Sequence, residues 1–339
     1  MKPASEYNIV IVSSPDDSLC MDEIPALRKS FGSVKLLELL PSETVGGFKS
    51  FFAAATSLRG ARSRASERIL DVLSSNTDVI IAYGGGVAAS ASVCAGTRAG
   101  VPVIIRLGRC QVDFEKSFAK VTAVITDSHA ALTRLHALAR GVAVNGMGAY
   151  NVIPAAPVQA SFHAVASRAL SFASAGNQHE CMKLVRAMAV ARPDTKIRWI
   201  CLDAELPEQK HPMPDNFTIA GATSLYEAIS REPVDWLILS EETPAFIPPS
   251  VLQALAAGVP VIAVDSPFIE EAVTDDCGVL FGPDPQSEEF VKGLFPYVES
   301  DYRMNSLRHG ARSRWMELFS PETAGLRLVE TICLCIDRK

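Results

Sequence analysis

The chain has 339 residues and suits two domains, because single hydrophobic cores seldom grow beyond about 250 to 300 residues. A net charge of -6 with no basic block argues against a dedicated nucleic-acid binder, which needs clustered Lys and Arg to neutralise phosphates. No run approaches the ~20 apolar residues of a membrane-spanning helix, and the start MKPASEYNIVIV lacks the shape of a signal peptide, so we expect a cytoplasmic protein.

Short apolar runs that indicate buried strands alternate with helical segments through the first half of the chain. The runs are YNIVIVSS, VKLLELL, DVIIAYGGG, VPVIIRLG, VTAVITD and VAVNGM. Apolar, β-branched runs of this length are typical of parallel strands that are buried on both faces of a sheet. The alternation therefore predicts an α/β domain.

A Pro-rich connector, Ile153 to Ala160, follows, and the alternation then resumes. The later elements are ALSFASAG, a helix over Glu180 to Ala191, IRWICLD, NFTIAGA, a helix over Leu225 to Ser230, DWLILS, and VLQALAAGVPVIAV, in which a helix runs into a strand. The sequence thus predicts two Rossmann-like, doubly wound domains that face each other across a cleft. We expect domains at 1–155 and 161–318, and a final helical segment, 319–339, that crosses back to the first domain.

Several motifs between residues 79 and 332 stand in a recognisable order. They are VTAVITDSHAALTRL, VAVNGM, FTIAGA, LYEAIS, DWLILS, ALAAGVPVIA, DSPFIEEAV, CGVLFGPD and LRHGARSRWMELFS. Together they resemble the GT-B glycosyltransferases of the large retaining group called family four. The resemblance implies an acceptor-binding first domain, a second domain that binds a nucleotide-sugar donor, and a departing diphosphate that takes the acceptor proton without a metal.

Two glutamates of an E-x7-E motif hold the donor in the resembled family, one at the sugar and one at the ribose hydroxyls. Ala245 and Gln253 occupy these positions here, so both carboxylates are missing. The amide of Gln253 can still hydrogen-bond a ribose hydroxyl, although without the charge assistance of a carboxylate. Glu241 and Glu242 stand in the preceding loop, and we assign Glu242 to catalysis as a replacement.

A second departure concerns the basic residues that neutralise the donor diphosphate in the motif G-R-L-x-x-x-K-G of the resembled family. Ala173, Ser174 and His179 stand at its Gly, Arg and Lys. We assign Ser174 and Gly176 to donor binding. His179 is assigned to catalysis as a weak cation, and a surface position at a helix start is its alternative interpretation.

The helix that contains Gln253 begins near Pro249, Ser250 and Val251. In the resembled family, main-chain N–H groups at this helix start hold the diphosphate, and helix starts in general favour anions. We therefore assign these three residues to donor binding as well.

Two stretches of the first domain are candidates for acceptor contacts. The stretch AYGGGVAAS places Gly84, Gly85 and Gly86 between a strand and a helix, where main-chain N–H groups can meet an anion, although it matches neither the P-loop nor the dinucleotide fingerprint. The stretch VIIRLGRCQVD places Arg106 and Arg109 at a strand end, and we assign both to catalysis as partners of an anionic acceptor or the departing phosphate. The alternatives are a tight turn for the glycines and ordinary ion pairs for the arginines.

The cysteines and the basic residues add further expectations. Eight cysteines without a C-x-x-C pair or a Cys/His metal spacing predict reduced, buried thiols and no metal site. The segment FFAAATSLRGARSRASERIL predicts a basic helix with either a solvated face or a peripheral contact with the inner membrane face. A protein partner also stays open.

The sequence therefore predicts a retaining, hexosyltransferase-type glycosyltransferase of polysaccharide or glycoconjugate biosynthesis. Its donor substrate is a nucleotide sugar such as a UDP- or GDP-sugar, it needs no cofactor, and its acceptor is an unknown glycan, lipid-linked or protein acceptor. The missing polar residues motivate an alternative, a non-catalytic GT-B-like partner or stabilising subunit of an active glycosyltransferase. A GT-B sugar epimerase fits less well, because its acidic and histidine pattern around the Gly-rich turn is not seen.

Overall fold

The computed structural model describes residues 2–14, 18–39, 51–108, 116–139, 142–154, 169–202, 213–240, 246–282 and 287–337, with only the main chain described at 51–59, 116–117 and 287. Two compact units divide the chain. The first comprises Met1–Val152 and Pro321–Lys339, and the second comprises Ile153–Ser320. Each unit contains one six-stranded parallel sheet with helices packed on its faces.

The first unit alternates strands and helices as the sequence predicts. Its strands are β1 (Asn8–Ser13), β2 (Ser33–Glu38), β3 (Val79–Tyr83), β4 (Val103–Arg106), β5 (Ala123–Thr126) and β6 (Gly146–Gly148). Its helices are α1 (Ser18–Ser30), α2 (Phe51–Val72), α3 (Gly86–Ala99), α4 (His129–Leu138) and, from the end of the chain, α11 (Thr323–Asp337). The strand order is β2-β1-β3-β4-β5-β6.

Hydrophobic burial on both faces holds this sheet. Ile9 and Ile81 pack with Leu328 and Ile332 of α11 on one face. On the other face, residues such as Ile69 of α2 pack against the strands, while Arg62 and Arg64 of α2 stay exposed. Such alternation of buried and exposed residues is the pattern of a helix that covers a sheet with one side in solvent.

The last strand of the first unit differs from the prediction. The run VAVNGM predicts a strand, but only its last two residues, Gly146 and Met147, belong to β6, and Val142 at its start is 45% exposed. An edge strand is covered less than a central one, so apolar residues there do not fix the register. A Cβ at Gly146 would lie 2.4 Å from Cδ1 of Leu132 and 3.0 Å from Nε2 of His136, so glycine fits closely here.

The second unit repeats the architecture. Its strands are β7 (Leu170–Ala175), β8 (Ile197–Leu202), β9 (Phe217–Ala222), β10 (Trp236–Leu239), β11 (Val261–Val264) and β12 (Gly278–Phe281). Its helices are α5 (Gln178–Ala191), α6 (Leu225–Arg231), α7 (Pro249–Ala257), α8 (Pro267–Ala272), α9 (Ser287–Val298) and α10 (Asp301–Leu318). The strand order, β12-β11-β10-β7-β8-β9, makes this sheet doubly wound.

Buried tryptophans pack the second sheet against its helices, and a glycine ends α7. Trp199 and Trp236 are fully buried on the face covered by α5 and α9. Gly258 ends α7 with φ 71°, a left-handed conformation that favours glycine, and its N–H caps the helix. Of the predicted connector, Ile153 to Ala160, residues 155–160 lie outside the described residues.

The described cysteines carry no disulfide, and all but the half-buried Cys94 are buried. None of the helices in the described ranges is long and apolar enough to span a membrane.

Candidate functional site

The second unit has a topological switch point between β7 and β10. These strands are neighbours, yet the chain continues from β7 to β8 on one side and from β10 to β11 on the other. In open parallel sheets, ligands bind outside the carboxyl ends of the strands at such a point, because the diverging connections leave a crevice. The loops after β7 and β10 are therefore the candidate site.

Ser240, the residue after β10, joins these two loops. Its hydroxyl donates a hydrogen bond of 2.8 Å to the main-chain carbonyl of Asn177, and its N–H donates one of 3.3 Å to the carbonyl of Ala175. Neither Ser240 nor Asn177 was among the predicted site residues. The serine that ends the run DWLILS was the signal that marked this strand end.

Asn177 also closes the start of α5. Its Oδ1 accepts hydrogen bonds from the N–H groups of His179 at 3.1 Å and Glu180 at 3.4 Å, as is usual for an Asn N-cap. The side chain thus occupies main-chain donors that an anion would otherwise meet at this helix start. His179 is exposed here, and Gly176, with φ 86°, makes the turn out of β7.

Ser174 has a different position from the one its donor-binding assignment requires. It is fully buried at the end of β7, where its hydroxyl donates to Oε1 of Gln178 and accepts from the indole Nε1 of Trp199 at 2.8 Å. A ligand at the surface does not reach this hydroxyl. The position that carries an arginine in the resembled family is therefore occupied here by a residue that supports the start of α5 from beneath.

The start of α7 offers few main-chain donors. Pro248 and Pro249 have no N–H, and the N–H of Val251 donates to the carbonyl of Pro248 at 3.0 Å. Of the three residues assigned to donor binding at this helix start, only the half-buried Ser250 keeps both a main-chain N–H and a hydroxyl with no hydrogen bond inside the described chain. Gln253, one turn further along α7, is half-buried and is likewise without a partner among the residues described.

Helix α10 holds α7 and α8 in place through its arginines. Arg308 pairs with the fully buried Asp235, and Arg312 donates to the carbonyl of Ala256 in the last turn of α7. Arg314 donates to the carbonyl of Glu271 at 2.7 Å in α8. Arginines at helix ends satisfy the last carbonyls and favour the helix dipole. Two arginines of the motif LRHGARSRW, Arg312 and Arg314, thus bind the carboxyl ends of α7 and α8.

A pocket of about 350 Å³ opens at the carboxyl edge of the second sheet. Its lining residues come from the start of α5, from the ends of β10, β11 and β12, and from α9: Asn177, Glu180, Leu184, Ile238–Ser240, Ile262–Val264, Phe281 and Phe290. Its volume lies within the roughly 300–1,000 Å³ that is usual for small-molecule sites. Because Ser240 and Asn177 belong to the lining, the pocket begins at the switch point.

Glu180 is the one charged residue among the described residues that line this pocket. Glu180 borders it and pairs with Lys183 at 3.3 Å, and Asp265 follows β11. Outside the pocket lining, a hydrogen bond with Asp265 raises the pKa of Glu270 above its ordinary value, because the two carboxylates lie close together. Burial raises the pKa of the Cys181 thiol to about 11, so this thiol is neutral at pH 7 and inert as a nucleophile.

In the first unit, Arg106 is buried rather than presented to a ligand. It is 1% exposed, and its guanidinium binds both carboxylate oxygens of Glu23, with Nη2 at 2.7 Å from Oε1 and Nε at 3.2 Å from Oε2. Burial disfavours the charged guanidinium, but the Glu23 carboxylate outweighs it, and the pKa of Arg106 lies above its ordinary value. The contacts favour the ion-pair interpretation over a direct contact with an anionic acceptor or phosphate.

The glycine stretch after β3 forms a tight turn. Gly84 and Gly86 have φ of 77° and 64°, which only glycine adopts readily, and the N–H of Gly84 donates to the carbonyl of Arg106 at 2.9 Å. Gly85 is exposed and serves as the N-cap of α3. The turn alone accounts for two of the three glycines, and an acceptor contact by this stretch stays a prediction.

Arg109, Glu241, Glu242 and Ala245 lie outside the described residues, so their assigned roles stay predictions. Within the described ranges, no group of three or more His, Cys, Asp or Glu side chains is arranged to hold a metal ion.

No protein-family model matches the chain, and no curated protein matches it. Solved structures do. A glycosyltransferase from Rickettsia africae ESF-5 is 12% identical, with a TM-score of 0.69 and coverage of 98% of this chain and 100% of the other. The Anabaena protein HepE in complex with UDP is 15% identical, with a TM-score of 0.65 and coverage of 96% and 100%.

Sucrose-phosphate synthase from Thermosynechococcus elongatus is similar over the same span, with 11% identity, a TM-score of 0.64 and coverage of 98% and 100%. At these identities the likeness establishes the fold. The chain has the GT-B fold, with two Rossmann-like α/β units, and this part of the sequence prediction is confirmed. Membership of family four and retention of configuration stay predictions.

Proposed function

We propose that the protein is a glycosyltransferase that binds a nucleotide sugar at the switch point of the second sheet. The observation that carries this proposal is the pocket of about 350 Å³ that begins at the bridge between Ser240 and Asn177. The rule for doubly wound sheets puts a ligand at this edge. The similarity to HepE, whose structure contains UDP, supports a nucleotide as that ligand.

Three groups of the second unit act on the donor in this proposal. The N–H and hydroxyl of Ser250 donate to a phosphate oxygen, and the amide of Gln253 hydrogen-bonds a ribose hydroxyl. His179, exposed at the start of α5, supplies a weak positive charge when protonated. With so few donors, we expect free nucleotide to bind weakly, with a Kd of about 0.1 to 1 mM, which corresponds to roughly 4 to 5.5 kcal/mol.

The reaction we propose breaks the bond between the anomeric carbon and the diphosphate and forms a bond from that carbon to an acceptor hydroxyl. The acceptor proton passes to the departing diphosphate on the same face, so the configuration is retained and no protein nucleophile is required. The first unit is the proposed acceptor-binding unit. The proposed acceptor is a glycan, a lipid-linked sugar or a protein.

A second candidate function is supported by the closed helix starts. Asn177 fills the donors at the start of α5, Pro248 and Pro249 remove donors from the start of α7, and Ser174 is buried. Each change removes a group that would neutralise a diphosphate. A GT-B-like partner that stabilises an active glycosyltransferase needs no such group and accounts for all three.

Turnover of sugar nucleotides separates the two functions. The purified full chain is incubated with UDP-glucose, UDP-N-acetylglucosamine and GDP-mannose, with and without a mixture of cell-derived acceptors, and the released nucleotide is measured. Release above a heat-denatured control supports the enzyme. Absence of release from every donor, by a chain that binds an active glycosyltransferase, supports the partner function and contradicts the enzyme.

A further inference from the structure

Glu23, on α1 of the first unit, is fully buried and makes three charge-assisted hydrogen bonds. Its Oε1 accepts from Nη2 of Arg106 at 2.7 Å, and its Oε2 accepts from Nε of Arg106 at 3.2 Å. The same Oε2 accepts from the hydroxyl of Tyr83 at 2.8 Å. Both partners end strands, because Tyr83 is the last residue of β3 and Arg106 the last of β4. One carboxylate therefore joins the carboxyl ends of two neighbouring strands.

The buried polar contacts continue beyond these three residues. Nη2 of Arg106 donates to Oδ1 of Asn151 at 2.9 Å, and the side-chain amide of Asn151 donates to Oδ2 of Asp127 at 3.5 Å. Asp127 directly follows β5, and it and Asn151 are buried. The network thus spans the ends of three consecutive strands, β3, β4 and β5.

Two glycines, Gly84 and Gly108, follow the strands β3 and β4 at the carboxyl edge, next to this network. Gly84 follows Tyr83 with φ 77°, and its N–H donates to the carbonyl of Arg106 at 2.9 Å. Gly108, two residues after the end of β4, packs closely on the network, because a Cβ there would lie 2.7 Å from Oδ1 of Asn151. Gly84 is thus bonded to Arg106, which Glu23 binds directly, and Gly108 packs on Asn151, which Arg106 binds in turn.

Stability alone does not require this arrangement. A buried ion pair is often no better than apolar residues of the same size, because the desolvation of two charges offsets their attraction. Hydrogen bonds are directional and apolar packing is not, so apolar residues would not fix the neighbouring main chain in one geometry. We propose that Glu23 is a positioning residue, which acts through Tyr83 and Arg106 to fix the main chain at Gly84 and Gly108, just beyond the ends of β3 and β4.

This role rests on the proposed function in one respect, because it takes this edge of the first unit to bind the acceptor. The geometry of the loops themselves is measured without any ligand. Failure of the positioning role and failure of the proposed function are thus observed separately.

The test replaces the network with apolar residues in the full chain, as Glu23→Leu/Tyr83→Phe/Arg106→Met. A matched control, Asp235→Leu/Arg308→Met, removes the buried pair of the second unit. Amide hydrogen exchange is followed by mass spectrometry in peptides that cover residues 80–92 and 103–108. We expect exchange in these peptides to rise about tenfold or more in the triple variant, because loops without directed hydrogen bonds open locally.

Local and global effects are distinguished in the same experiment. Peptides from β1 are expected to exchange at the wild-type rate in the triple variant, and the control is expected to leave residues 80–92 and 103–108 unchanged. A folded triple variant with wild-type exchange in the loops would overturn the positioning role, as would a uniform rise throughout the first unit.

Two further measurements complete the test. If the triple variant does not fold, Tyr83→Phe alone removes one bond without burying a charge. It is expected to raise exchange in the same peptides about threefold or more, and unchanged exchange overturns the proposal. The second measurement compares the turnover of a sugar nucleotide by the wild type and by the folded triple variant. We expect the variant to be about tenfold slower with an unchanged Kd for UDP. Equal turnover by the two proteins overturns the positioning role.

Discussion

The hydroxyl of Ser240 donates a hydrogen bond of 2.8 Å to the main-chain carbonyl of Asn177. The two residues are 63 positions apart in sequence, and the bond joins the loops that leave β7 and β10 at the switch point of the second sheet. Asn177 in turn caps α5, so one contact links both loops, a helix start and the edge of the pocket. The polar groups of the two residues at this edge are thus largely hydrogen-bonded within the chain itself.

Ser240→Ala removes this link. We expect the Kd for UDP to rise about threefold to tenfold, because the two loops lose their shared position, while the unfolding free energy falls by only about 1 kcal/mol. The matched control is Ser230→Ala, whose hydroxyl donates to the carbonyl of Glu227 at 2.8 Å on a surface helix. Calorimetric titration with UDP measures both variants, and equal Kd values would remove Ser240 from the site.

Pro249→Ala adds an N–H at the first position of α7. Because this N–H has no partner within the helix, it becomes an additional donor beside Ser250. We expect UDP to bind about threefold to tenfold more tightly, the gain of one charge-assisted hydrogen bond reduced by added chain entropy. Pro267→Ala, at the start of α8 where Ser266 already caps the helix, is the control and should leave the Kd unchanged.

Gln253→Glu restores a carboxylate to the position that resembles the ribose contact of GT-B enzymes. The side chain is half-buried on α7, and a charged acceptor binds a hydroxyl more strongly than an amide does. We expect the Kd for UDP or GDP to fall about tenfold, since such a bond contributes roughly 1.5 kcal/mol more. Gln253→Leu, which has no acceptor, should weaken binding, and tighter binding by the leucine variant would contradict the assignment.

Arg106→Ala should affect folding before it affects ligands. Removing one member of a buried pair leaves Glu23 charged and unpaired, and costs about 3 to 5 kcal/mol of unfolding free energy. Chemical denaturation measures this loss. The control is Arg98→Ala, whose partner Glu67 lies in solvent, and which should unfold at the wild-type midpoint. A stable Arg106→Ala variant would contradict the structural role of the pair.

The sequence predicts the α/β elements well because buried strands and amphipathic helices leave strong apolar patterns. The helix over Glu180 to Ala191 begins two residues earlier, at Gln178, because Asn177 is the N-cap. The helix before Gly258 and the following strand lie where the pattern puts them. The strand VAVNGM was displaced because an edge strand without full cover leaves no reliable apolar pattern.

The candidate site was less predictable, because its features depend on contacts between distant residues. A sequence shows Arg106 as a charge at a strand end, but not the carboxylate of Glu23 that neutralises it from α1. It shows Ser174 at a motif position, but not the indole of Trp199 that takes its hydroxyl. Resemblance to a family identifies positions, and only packing decides whether a side chain at such a position faces a ligand.

In the proposed function, the second unit binds a nucleotide at its switch point. Isothermal titration of the full chain with UDP and with GDP, up to about ten times the expected Kd, tests it most directly. We expect saturable binding of at least one nucleotide with a Kd of about 0.1 to 1 mM, and weaker binding by the Ser240→Ala variant. A folded protein that shows no heat of binding with either nucleotide, and no gain with Gln253→Glu, would contradict it.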